Sequence, residues 1–199
     1  MSHTHSAQPL RHIAPLTDLC PPPPGGGRNV EWPAVEQTLG VPLPADYKQL
    51  VQTYGGGLFG DLIWLLQPGC PEAMYDLVAQ TTDREEILTE LWAAGERRPP
   101  ELDEDSARLV PWGYAEGAGH FLYWLIRPGT DPDDWTVVLN EGRGPLWEFH
   151  PVSCSEFLLE VLAGTTPSPY FTDVDDIVAP EDRTRFIPNA EILNRWQKG

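Results

Sequence analysis

Long apolar runs, cysteines and basic residues are all scarce in this chain. No stretch of about eighteen apolar residues occurs, which excludes an ordinary transmembrane helix. The opening MSHTHSAQPLRHIAPL has neither a continuous apolar segment nor a clear positive start, so no secretory leader is expected. There are 3 cysteines, Cys20, Cys70 and Cys154, an odd number with no C-x-x-C pair. That pattern predicts reduced structural thiols and a cytoplasmic setting. Lys and Arg total 13 against 30 Asp and Glu, a formal net charge of -17. Such a surface repels nucleic-acid phosphates and anionic lipid and attracts a basic protein. Solubility alone is the plainer account of the same charge.

Proline and glycine are abundant, 22 and 18 residues, and 8 tryptophans stand among the apolar 41 %. A chain of 199 residues buries roughly 70 % of its unfolded surface and needs no disulfide or metal staple. Residues 1–28 read as a flexible arm, because PPPPGGG over 21–27 suits a polyproline stretch and a hinge rather than a helix. A short helix is expected from about Glu31 to Leu39, stopped by Gly40. A second follows, with Leu43, Tyr47, Leu50, Val51 and Tyr54 on one face. Thr82 with Glu85 reads as a capping box for a helix over 83–96, and Ser153 with Glu156 as another for a helix ending at Gly164. Strands are expected at 62–66, 108–112, 121–126, 135–139 and 146–149; their short connections predict antiparallel pairing. Residues 165–199 read as a loosely packed extension, in which Phe186, Ile187, Ile192, Leu193 and Trp196 suit a final docked helix. The expected class is α+β, a single domain with a central, mostly antiparallel sheet and several helices.

GGGLFG over 55–60 matches the glycine pattern of a dinucleotide-binding loop, but that loop needs a strand before it and a helix after it. Here a helix precedes and a strand follows, so the motif is a decoy. Ser153 and Ser155 sit at a helix start, where capping accounts for them. His120 and His150 lack a second ligand at motif spacing, and the H-x-H of His3 and His5 is a weak metal signal. Asp131, Asp133 and Asp134 lack the offsets of a calcium loop and read as turn residues that present charge. No catalytic, cofactor or metal residue is singled out. From Glu72 to Ser106 there are 11 acidic and 3 basic residues. The stretch is either a solvated surface or a recognition face for a basic partner. Glu101, Asp103, Glu104 and Asp105, with Asp131, Asp133 and Asp134, are the candidate partner-binding residues. Trp92 and Trp112 are the nearest aromatic anchors, and each also suits the core.

WPAVEQTLGVPLPADYKQLVQTYGG resembles the N-terminal signature of the SUKH superfamily, the Smi/Knr-type domain. Glu36, Leu39, Gly40, Leu43, Pro44, Asp46, Tyr47, Tyr54, Gly55 and Gly56 carry the resemblance. LVPWGYAEGAGHFLYWLI is similar to the next block, through Val110, Pro111, Trp112, Gly113, Gly119 and Tyr123. WTVVL and FLLEVLAG fit the later strand and closing helix, so the resemblance covers about 29–164. It implies an α+β domain without shared catalytic residues and without a cofactor. Bacterial members are commonly immunity proteins that neutralise a toxin domain, often a nuclease; others are scaffolds or regulators. The expectation is therefore a non-enzymatic, cytoplasmic binding protein whose partner is a basic toxin domain, with a toxin-free scaffold as the alternative.

Overall fold

The computed structural model describes residues 10–103, 107–117, 119–172 and 178–196, apart from the side chains of 195 and 196. Helices α1 (Ile13–Leu19), α2 (Trp32–Leu39) and α3 (Ala45–Tyr54) come first. Strands β1 (Gly57–Phe59) and β2 (Ile63–Leu65) follow, then α4 (Leu77–Ala93). Next come β3 (Arg108–Ala115), β4 (Phe121–Ile126), β5 (Thr136–Asn140) and β6 (Trp147–His150). Helix α5 (Cys154–Ala163), strand β7 (Phe186–Pro188) and helix α6 (Asn189–Trp196) complete the described order. The strands form one sheet in the order β6-β5-β4-β3-β2-β1-β7, antiparallel at every step. The architecture is α+β, and no described helix is long and apolar enough to cross a membrane.

Side chains alternate across the sheet with period two and feed separate cores. On one face Ile63, Leu65, Leu122, Trp124, Val137 and Leu139 pack in the main cluster with residues of α1, α3 and α5. On the other face Tyr123, Leu125 and Val138 meet Leu88 of α4, while Leu58, Trp64 and Ile187 meet Ile192 and Leu193 of α6. A bulge between Pro111 and Gly113 breaks the β3–β4 register. The extra residue, Trp112, points into the main core with no exposure. A central strand tolerates Pro111 because a bulge relaxes the ladder there.

The glycine run forms a hairpin. Gly60 and Asp61 both have positive φ, 59° and 52°, the requirement of the tight turn that joins twisted strands. Leu62 N–H donates to the Phe59 carbonyl at 2.9 Å across it. Helix α3 ends before the run and strand β1 follows it, the reverse of the strand–loop–helix order a dinucleotide loop needs, and the start of α6 closes on it instead, Asn189 N–H donating to the Gly56 carbonyl at 3.0 Å. Gly56 and Gly57 are needed for close approach: a Cβ at 56 would lie 2.6 Å from Asn189 Nδ2, and one at 57 would overlap β7.

Three expectations change. Helix α4 starts at Leu77 rather than at 83, because Asp76 accepts the Ala79 N–H at 2.8 Å as its cap. Thr82 is inside the helix and donates to the Val78 carbonyl. The described part of the expected arm, 10–28, is packed against the domain: Leu16 and Cys20 are fully buried, and Tyr54 Oη donates to the Cys20 carbonyl at 2.6 Å. In the C-terminal extension, Phe186 and Ile187 form a seventh strand along β1. The Ser153 cap on α5 is present, accepting from Glu156 N–H at 3.4 Å.

Candidate partner-binding surface

The signature residues of the first two helices are engaged inside the fold. Asp46, 2 % exposed, accepts N–H groups of Tyr47 at 2.7 Å and of Ser155 at 3.0 Å, and the Cys154 thiol lies at 3.4 Å. One carboxylate thereby ties the start of α3 to the start of α5, where free N–H groups and the helix dipole favour negative charge. Burial, followed by the Asp46 charge, pushes the Cys154 thiol well above its ordinary range. Tyr47 Oη donates to the Leu66 carbonyl at 2.7 Å. Glu36 accepts the Leu43 N–H at 2.8 Å and pairs with Lys48 at 2.5 Å. Partial burial pushes its carboxyl up, but those two partners outweigh it and hold it below the usual range.

The candidate acids fall on opposite faces of the sheet. Asp131, Asp133 and Asp134 occupy the turn before β5, on the α3 side. Asp131 accepts the Asp133 N–H at 3.0 Å, and Asp133 accepts the Ala45 N–H at 2.7 Å, capping α3 from a distant loop. Asp133 and Asp134 also line a cleft of about 230 Å³ with Arg11, His12 and Glu156. There Glu156 is already paired with Arg11 at 3.3 Å. Glu101 and Asp103 are exposed around the turn Pro100–Leu102, which buries Leu102 in the α4 cluster. Glu104 and Asp105 lie outside the described residues.

Sequence reasoning did not single out an acidic stripe on α4. Asp83, Glu86 and Glu90 are exposed at helical spacing, and none pairs with a cation among the described residues. Like charges at this spacing cost a helix a few tenths of a kcal/mol per pair. The inner face of α4 is neutralised differently. Arg84, 5 % exposed, donates to Tyr123 Oη at 2.8 Å and to the Gly142 carbonyl at 2.9 Å, beneath Phe121. Burial pushes the Tyr123 phenol up to about 12, against the pull of Arg84. Spacing alone marks the stripe in the sequence; the start of α4 at Leu77, capped by Asp76, fixes which side faces out.

A family model for SMI1-KNR4 cell-wall proteins, SUKH_6, matches residues 30–158, more than half of the chain. The chain belongs to the SUKH_6 family. No curated protein and no solved structure matches it. The matched span runs from just before α2 into α5 and contains the Asp46, Tyr47 and Glu36 anchors, so in this SUKH_6 chain the signature serves the fold.

The two histidines beside the sheet have structural surroundings. His120 stacks on Tyr170 with ring centres 3.9 Å apart. His150 packs on Phe157 and meets Glu148 at 3.0 Å. Ser168 Oγ donates to the same Glu148 oxygen at 2.5 Å. The carboxylate stands between hydroxyl and imidazole, so Ser168 and His150 do not form a direct nucleophile–base pair. Trp112 is buried in the main core, whereas Trp92 is half-buried at the end of α4 with Arg98 over its ring at 4.6 Å.

Proposed function

We propose that this SUKH_6 chain is a non-enzymatic, cytoplasmic immunity protein that neutralises a basic toxin domain by binding it directly. The observation that carries this reading is the unpaired stripe of Asp83, Glu86 and Glu90 on α4, with Glu101 and Asp103 also exposed in the turn beyond the helix. A helix that tolerates mutual repulsion on its outer face gains from a cationic partner, and a complementary field speeds encounter. A toxin nuclease fits, because its own substrate is a polyanion. The engaged signature residues and the Ser168–Glu148–His150 arrangement support a binding role over catalysis. Co-expression in a susceptible cell with the toxin encoded beside the gene is the test: survival is expected, and death at full expression of the chain overturns the proposal.

A scaffold role without a toxin has its own support in Pro21, Pro22 and Pro24, which are exposed and suited to an aromatic-lined docking domain. A neighbouring gene for a large toxin favours immunity, and its absence favours the scaffold.

A further inference from the structure

The two edges of the sheet are built differently. At one end β7 carries Pro188, which has no N–H to offer, and Pro21–Pro24 stand beside the strand across a shallow groove. Prolines at an edge are a standard guard against unwanted strand pairing. At the other end β6 contains no proline, and among the described residues no backbone–backbone hydrogen bond from a segment other than β5 reaches it, though Tyr170 N–H and Ser168 Oγ donate to the Glu148 side chain. Trp147 and Phe149, alternate residues of β6 on the α4 side of the sheet, are half-buried. Leu146 just before them is 65 % exposed, the most exposed large apolar side chain among the described residues. Pro99, Pro100 and Pro145 line a hollow of about 320 Å³ with the two aromatics, beside Arg97 and Glu101.

We infer that β6 is an addition site for an extended, basic segment of a protein partner. The incoming strand pairs with the open edge, and its alternate apolar side chains rest on Trp147 and Phe149, which share one face of the sheet. In strand addition the main-chain bonds supply affinity and alternate side-chain pockets supply selectivity. Aromatic anchors with a charged rim match the composition of interface hot spots. Charge decides the occupant. Two copies of a chain with net charge -17 repel one another, whereas a basic segment is drawn to the same field. Pro145 and Pro151 bracket the strand and restrict the register to β6 itself. The inference rests on the proposed binding role and names where that partner engages.

The test uses the full chain and an octapeptide alternating lysine and valine, with hydrogen exchange read at the Trp147 and Phe149 amides. Two control peptides accompany it: one with glutamate for lysine, one N-methylated at alternate residues so that it cannot pair. Slowing of exchange at both amides by at least tenfold with the lysine peptide alone is expected. No slowing, or equal slowing by either control, overturns the inference. Protection that rises with protein concentration without peptide also overturns it, in favour of a second copy at the edge. A chain that protects cells from its toxin yet fails this test keeps the immunity reading and loses only the β6 site.

Discussion

Asp46 holds two helix starts from a position almost closed to water, and its removal strands N–H groups that have no replacement acceptor. Asp46→Ala is expected to lower stability by about 2–3 kcal/mol in urea denaturation, the usual effect of orphaning buried donors of a charged acceptor. Asp134→Ala, on an exposed residue of the turn before β5, is expected to stay within about 0.5 kcal/mol. Cys20 gives a pH-dependent expectation. Burial raises its thiol from 9.0 to about 12. Above pH 9 the unfolded chain ionises this group while the folded chain does not. Its contribution is therefore complete below pH 9 and is lost as pH rises towards 12. Stability measured from pH 8 to 11 should fall along that limb, and Cys20→Ala should make the fall shallower. An identical slope in the variant removes Cys20 as a cause.

Helix α4 is the element on which the functional reading depends, and its start can be tested directly. Asp76→Ala should cost about 1–2 kcal/mol, the loss of an N-cap, and somewhat more because Asp76 also accepts Gly69 N–H at 2.6 Å. Thr82→Ala should be near neutral in the same unfolding assay. The sequence signal misled here because Thr82 and Glu85 fit the capping pattern, while Asp76 lies directly before Leu77 without a downstream acid at the matching offset. The strands of the meander were legible from alternation and bracketing turn residues, and Phe121–Ile126 matches its expected bounds. Strands β1 and β7 were not legible: each has three residues, and β7 exists only because Gly56 and Gly57 let a distant segment close on β1. The packing of α1 was hidden for a similar reason, since the Tyr54–Cys20 hydrogen bond spans 34 positions of sequence. The acidic richness of 72–106 was visible in composition, but its concentration into an outward stripe required the helix boundary. The open edge at β6 was invisible, because strand order is not written in local sequence.

The whole molecule combines a densely aromatic interior with a strongly negative exterior. Removing charge from α4 separates the two roles. The triple variant Asp83→Asn, Glu86→Gln, Glu90→Gln should melt at the same temperature or slightly higher, as repulsion within the stripe is relieved. The same variant should associate more slowly with a basic domain. The most direct test of the central claim is the association rate between this chain and the basic toxin domain proposed as its partner, at low and high salt, for the wild-type protein and the α4 triple variant. The binding account predicts tight association, a rate that falls by roughly an order of magnitude or more with salt, and a slower rate for the variant at low salt. Absence of binding, or a rate indifferent to both salt and the α4 substitutions, would contradict it.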